Sequence, residues 1–401
     1  MLIRNLWLVA SFFIVLTGIA APSGLVVALG VFVFLVGGLA RAWSHLSLER
    51  LSYQRVLPER RAFVGEKLPF SQVLINRKPL PLPWLEVEDR IPNALAPVGR
   101  TLKPSYLPNT GLLARSTALS WYERLTWDYE LQCTERGYYK LGPARLRSGD
   151  LFGFFRQERQ EEQSHEILVL PRMYDLQKMD LKPARPAGEL RGRHLLVEDP
   201  LRPAGVRDYR PGDSVRRLEW KATARRGTLQ SRVFEPAASL ELLIALNINT
   251  MELSWEGYDP VLLERAISTA ASIARDSLEA RLATGLVANG SYPGADRPLR
   301  VAPARNRDQL TRILEALAVI SPLTLTPLEQ MLEEQRRLLP SGCSLVLVTA
   351  LLDRPLTATL LNLASRHPIS VVAVGDQIEA PEGLDVTNIG SAFRLGEAVP
   401  R

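Results

Sequence analysis

The residues best suited to chemistry lie between positions 206 and 235, VRDYRPGDSVRRLEWKATARRGTLQSRVFE, where eight Arg or Lys stand among four acidic side chains. A guanidinium group binds phosphate or carboxylate through two parallel hydrogen bonds and stacks on aromatic rings. Tyr209, Trp220 and Phe234 place such rings in the same stretch. Three uses compete. Nucleic-acid binding would set arginine on phosphates and aromatics on bases, but Asp208, Asp213 and Glu219 interrupt the surface, and no nucleic-acid partner is expected. Internal ion pairing would make a compact unit with Tyr209, Asp213 and Trp220 at its structural core. A docking surface would leave Arg207, Arg210, Arg216, Arg217, Lys221, Arg225 and Arg226 free for an acidic partner or ligand. The second and third uses can coexist.

A catalytic reading needs a nucleophile, a base, a metal or a cofactor cradle. His194, Asp213 and Lys221 could serve as acid and base groups of a hydrolase or transferase, with Arg207, Arg216 and Arg225 holding an anionic substrate. None of the phosphate-cradling, nucleophile-elbow, zinc-protease or dinucleotide motifs occurs in the chain. The carboxylate pairs Glu161-Glu162, Glu198-Asp199 and Glu333-Glu334 read as solvated charges. The four histidines do not cluster, so a zinc site is not expected, and neither is any cofactor. The chain reads as a non-enzyme.

The elements that must position these residues fall into four parts. LWLVASFFIVLTGIAA (6–21) and LVVALGVFVFLVGGLA (25–40) carry no charge and are separated by Pro22-Ser23-Gly24. They predict a transmembrane helical hairpin over residues 1–45. A cleaved signal peptide is the alternative for the first run, and the second run weighs against it. Arg4, Arg41 and Arg50 place both ends in the cytoplasm by the positive-inside rule. The expected location is therefore the cell membrane, multi-pass, with cytoplasmic soluble domains.

Residues 51–172 predict an all-β sandwich domain. In LTWDYELQCT the apolar Leu125, Trp127, Tyr129, Leu131 and Cys133 alternate with polar neighbours, the period of a half-buried strand. VEDRI and EILVL read as further strands, with turns at PLPLP, RGYYKLGP and SGDLFGFF. Residues 173–239 hold a proline-rich linker and the arginine-rich stretch. Cys133 and Cys343 fall in different domains, so no disulfide is expected.

Residues 240–401 predict an α/β domain. LELLIALNI suits a strand buried on both faces, and Asp259-Pro260 caps a helix whose inner face is Leu263, Ala266, Ile267, Ala270, Ile273, Ala274, Ser277 and Leu278, stopped by Gly285. GLVANG is a second strand. Asn306 opens a helix with Leu310, Ile313, Leu314 and Leu317 inward, and Thr326 with Glu329 makes a capping box for another reaching Leu339. SLVLVTA and ISVVAVG are strands around a helix starting near Pro355. Residues 240–401 carry fourteen Arg and nineteen acids, net −5, beside net +5 over residues 185–235.

RDYRPGD (207–213), RRLEWK (216–221) and ARRG (224–227) resemble the core signature of domain-of-unknown-function family 58, and RGYYKLGPARLRSGDLFGFFR (136–156) resembles its upstream β domain. Members are membrane proteins often encoded beside MoxR-type AAA+ ATPases. The resemblance implies a von Willebrand A-like (Rossmann-like) fold for the C-terminal part and a MoxR-type ATPase as partner. Such domains often hold a divalent cation through Asp-x-Ser-x-Ser. Here that stretch is Asn247-Ile-Asn249-Thr-Met251, and the later strand ends Thr349-Ala350. Hard cations want anionic oxygens, so this degenerate site at Asn247, Asn249 and Met251 is expected to bind no metal. The function implied is an adaptor or scaffold in assembly or remodelling of a client protein. Oligomeric state is left open.

Overall fold

A computed structural model describes residues 6–20, 23–176, 198–210, 218–236, 241–251, 257–292, 297–336, 339, 343–375, 378–390 and 393. The chain divides into two compact units, Met1–Leu170 and Pro171–Arg401.

The first unit begins with two helices, α1 (Leu6–Ala20) and α2 (Gly24–Ser47). They pack antiparallel because glycines let the backbones approach: a Cβ on Gly18 would strike Val27, one on Gly30 Val15, and one on Gly37 the Trp7 ring. By length and composition α2 can cross a membrane, whereas α1 is a shorter apolar helix. Helix α2 runs seven residues past the uncharged stretch, because Arg41-Ala-Trp-Ser-His45 keeps a helical periphery while Ala40, Ser44 and Ser47 stay buried.

Its exit is pinned to the strands that follow. Lys78 Nζ donates to the carbonyl oxygens of Ser47 and, at 2.7 Å, Glu49, and Arg159 donates to those of Leu48 and Leu51 at 2.7 Å each. Burial, then the neighbouring Arg159, lowers the Lys78 ammonium to about 8. Its folded form thus holds a proton less tightly than an unfolded lysine near about 10.4, so its contribution to stability rises as pH climbs from about 8 to about 10. The urea midpoint of the wild type minus that of Lys78→Met, in detergent micelles, is expected to rise across that window. A flat difference would contradict this.

Eleven strands follow: β1 (Leu51–Val56), β2 (Arg61–Phe63), β3 (Lys67–Asn76), β4 (Leu82–Pro92), β5 (Lys103–Pro104), β6 (Thr110–Leu119), β7 (Arg124–Gln132), β8 (Gly137–Leu141), β9 (Ala144–Gly149), β10 (Arg156–Glu161) and β11 (His165–Leu170). They form sheets ordered β1-β3-β7, β10-β9-β4-β6-β5 and β2-β11-β8. Tyr53, Leu74 and Trp127 from the first sheet share one core with Leu85, Val87, Leu119 and Leu146 from the second. Strand β7 shows the alternation its sequence predicts, with Trp127 and Leu131 buried and Thr126, Asp128 and Glu130 exposed. Two expected turns are strand instead. Leu82 and Pro83 of PLPLP open β4, and GYYKL is β8, whose aromatics pair it with β11.

Inside this unit Asp89 and Arg55 form an ion pair at 2.7 Å with side chains 0% and 1% exposed. Asp89 accepts from Tyr53 Oη at 2.6 Å and from Gln72 Nε2 at 3.0 Å.

In the second unit a ribbon of β12 (Glu198–Asp208) and β13 (Gln230–Pro236) flanks the short helix α3 (Trp220–Arg226). The α/β part contains β14 (Glu241–Leu246), α4 (Pro260–Glu279), β15 (Ala283–Ala288), β16 (Gly290–Ser291), β17 (Leu299–Ala304), α5 (Gln309–Val319), β18 (Ser321–Thr324), α6 (Leu328–Gln335), β19 (Ser344–Thr349), α7 (Arg354–Ala364), β20 (Ile369–Ala373) and β21 (Asp385–Asn388). Its main sheet runs β17-β15-β14-β19-β20-β21, parallel except for β17. Strand order reverses between β14 and β19.

Asp259 caps α4 by accepting from Val261 and Leu262 N–H groups. The expected inner face is buried, apart from half-buried Leu278. Four local expectations are corrected. Helix α4 ends at Glu279, and Gly285 lies inside β15, where only a hydrogen fits against Pro303. Helix α5 starts at Gln309 because Asn306 makes a preceding turn, its carbonyl accepting from Gln309 N–H; Leu310 is half-buried. Pro327, with no side-chain donor or acceptor, is the N-cap of α6 in place of Thr326. That helix stops at Gln335, short of Leu339.

Candidate functional site

Two places collect the residues singled out by sequence. The first is the carboxyl end of β14, beside the point where strand order reverses, the usual location of ligand crevices in open parallel sheets. The strands there are continuous apolar runs buried on both faces, so their ends bring Asn247, Asn289 and Thr349 together. All three are buried. Asn247 Nδ2 donates to Thr349 Oγ1 at 3.1 Å, and its Oδ1 accepts from Asn289 Nδ2 at 3.0 Å and from Asn249 N–H at 3.1 Å. Asn289 Oδ1 accepts from Ile248 N–H at 2.8 Å. Thr349 donates to the Leu351 carbonyl and accepts from Leu351 N–H at 3.3 Å. Thr324 donates to Asn249 Oδ1 at 2.5 Å.

Every member of this network is neutral, and Asn247 turns an amide N–H group toward Thr349. Met251 is 37% exposed at the rim and bonds to none of these groups. The described residues contain no cluster of three His, Cys, Asp or Glu. The hydrogen bonds form a polar brace joining three strand ends. Asn289 and Thr324 complete it, and sequence reasoning missed both because neutral polar residues leave no periodic or charge signal.

The second place is the arginine-rich unit. Buried Gln230 organises it: Nε2 donates to Asp208 Oδ1 at 2.6 Å and to Thr228 at 3.1 Å, its N–H donates to Thr223 Oγ1 at 3.0 Å, and its carbonyl accepts from Glu219 N–H at 2.9 Å. Gln230 too escaped the sequence reading, which sought carboxylate partners among the arginines. Asp208 pairs its carboxylate with this amide, and Arg207 donates to the Asp208 backbone at 3.0 Å. Arg232 pairs with Glu219. Arg226 reaches Gln230 Oε1 at 3.3 Å. Helix α3 ends at Gly227, whose φ of 74° needs no side chain and whose N–H returns to Thr223 at 2.9 Å.

Tyr209 is half-buried, while Arg210, Lys221, Arg225 and Arg226 are exposed. Trp220, expected in the core of the unit, is 65% exposed. It opens a helix with no buried residue, so its ring faces solvent. Pro211, Gly212, Asp213, Arg216 and Arg217, and also His194, lie outside the described residues. Lys221 is therefore the one described member of the acid/base set, and it sits on the exposed helix.

Residues 205–384 match the family described as "Protein of unknown function DUF58". The region Arg136–Arg156 lies outside that match. The "Uncharacterized protein YeaD" of Bacillus subtilis (strain 168) is 24% identical over 245 residues, 61% of this chain and 57% of that relative. The match thus spans little more than half of the relative's length. Among solved structures, the β-glucosidase from Listeria innocua with glucose gives 16% identity and a TM-score of 0.17, covering 30% of this chain and 16% of that one. Sporulation control protein Spo0M from Bacillus subtilis gives 8% identity and a TM-score of 0.19, covering 30% and 49%. Likenesses this slight say nothing about function.

Proposed function

We propose, starting from the family match over residues 205–384, that this chain is a membrane-anchored, non-enzymatic adaptor working with a MoxR-type AAA+ ATPase on a client protein. Helices α1 and α2 form the anchor, crossing the bilayer as a hairpin that leaves the strands of the first unit and the whole second unit in the cytoplasm. The second unit is von Willebrand A-like. Its six-stranded order, 3-2-1-4-5-6 with an antiparallel third strand, supports that assignment, and its degenerate cation site is braced by amides.

The observation that carries the adaptor reading is the outward display of Trp220, with Lys221 and Arg225, on a helix held by the buried Gln230. A solvent-facing tryptophan among cations is a poor catalytic pocket and a good docking element, because aromatic and cationic side chains dominate interface hot spots. The surface it fits is acidic. Recovery of the ATPase with tagged full-length protein from solubilised membranes is the expected result, and its absence with the ATPase expressed would overturn the partnership.

A further inference from the structure

Five large apolar side chains of the first unit, Trp121, Tyr122, Leu151, Phe152 and Phe154, are each between 60% and 68% exposed. They sit on two loops at one end of the strands. The loop after β9 is built to hold its side chains out. Buried Asp150 accepts from the N–H groups of Phe155 at 2.6 Å, Phe152 at 2.9 Å and Phe154 at 3.3 Å, and its carbonyl accepts from Trp84 Nε1 at 3.1 Å. The Phe155 carbonyl folds back so closely on Gly149 that a Cβ there would lie 2.1 Å away. Phe152 and Phe154 stack outward, ring centroids 5.5 Å apart.

Phe155 turns the other way. Its ring meets Trp7 of α1 edge-on at 6.2 Å and lies under the Arg41 guanidinium of α2 at 5.9 Å. That is the level at which the uncharged run of α2, closing at Ala40, gives way to Arg41. The Trp121-Tyr122 turn stands at the same exit. Tyr122 N–H donates to the Lys78 carbonyl at 3.2 Å, and Lys78 itself caps the end of α2. Exposed Arg50 and Arg77, joined by a backbone hydrogen bond of 3.0 Å, flank that turn.

We propose that these two loops lie in the lipid interface beside the anchor, so that the strand-rich unit rests on the bilayer instead of hanging from it. The proposal rests on the reading of α2 as a membrane span. Aromatic and aliphatic side chains at headgroup depth with arginines beside them are what an interfacial surface requires, and an exposed apolar patch this size is otherwise a liability. Tyr106, also exposed, lies near the opposite end of β4, where Pro92 pairs with Thr110, and faces water.

The test uses the full chain in phosphatidylcholine–phosphatidylglycerol vesicles, with a polarity-sensitive fluorophore on Phe152→Cys, Leu29→Cys or Tyr106→Cys. Cys133 and Cys343 are buried and stay in place, with the unsubstituted chain as blank. Spin-labelled lipids quench at shallow or deep positions. The expected result is blue-shifted emission at 152 lost to the shallow quencher, emission at 29 lost to the deep one, and neither at 106. Quenching at 29 without quenching at 152 overturns the loop proposal and leaves the anchor standing. No quenching at 29 overturns the anchor itself. A blue shift at 152 that no lipid quenches means a protein covers the loop, and also overturns the proposal. Should labelling at 152 perturb the fold, the same measurement at Trp121→Cys decides it.

Discussion

Replacing Asp89 with alanine lowers the unfolding free energy of the strand-rich unit by about 3–5 kcal/mol. The carboxylate is wholly buried and accepts four hydrogen bonds, from Tyr53 at 2.6 Å, Arg55 at 2.7 and 2.8 Å, and Gln72 at 3.0 Å. Removing it leaves the buried Arg55 guanidinium without an anion, with the Gln163 carbonyl and the Tyr53 ring beside it. A buried cation without its anion costs far more than the pair contributes. Burial, reinforced by Asp89, holds the Tyr53 phenol well above its ordinary pKa, so it remains a neutral donor. The double variant Arg55→Met with Asp89→Leu removes both charges and is expected to be milder than Asp89→Ala alone. Urea unfolding in detergent, followed by tryptophan fluorescence, measures both. A loss below about 1 kcal/mol for Asp89→Ala would mean the charge is not buried as described.

Asn247→Asp has the second large effect, and its pH dependence identifies the cause. The substitution is nearly isosteric but puts a carboxylate into a buried network of neutral groups. Desolvation raises the folded-state pKa of such an acid, by about 3 units for a fully buried group. The folded variant then binds more protons than the unfolded one above about pH 4, so its stability falls as pH rises, reaching a deficit of about 4 kcal/mol. Near about pH 4 a protonated Asp can donate to Thr349 as the amide does, and the variant approaches the wild type. Urea midpoints from acidic to neutral pH read this out. A deficit independent of pH would argue for a packing defect. Saturable stabilisation of the wild-type chain by Mg²⁺ would contradict the braced reading of the site.

Much of this fold was legible in the sequence. Asp259-Pro260 announced a helix start, and the apolar runs of β14 and β19 announced a parallel sheet, because those signals are local. The sheet's edges were not. Strands β17 and β21 are short and half-exposed, and LRVAPA and DVTN carry no clean alternation. GYYKL looked like a turn because its flanking glycines are as common in turns as in strands. At the sites, charge was legible and neutrality was not. Gln230, Asn289 and Thr324 organise the two places of interest through hydrogen bonds that only the fold creates. Trp220 misled for the converse reason: a tryptophan among arginines suggests a core, and nothing local says that the short helix it opens buries no face.

In the adaptor reading, the unit built around Gln230 presents Trp220, Lys221 and Arg225 to a partner. Co-purification of the MoxR-type ATPase from solubilised membranes, comparing the tagged wild-type chain with Trp220→Ala and with Lys221→Glu/Arg225→Glu, tests it most directly. These side chains are exposed, so both variants should match the wild type in membrane content and unfolding midpoint. Loss of an interfacial hot spot of about 2 kcal/mol predicts roughly 30-fold weaker binding of the ATPase, read as a clear fall in the amount recovered. Undiminished recovery with both variants, at equal expression, would contradict the account.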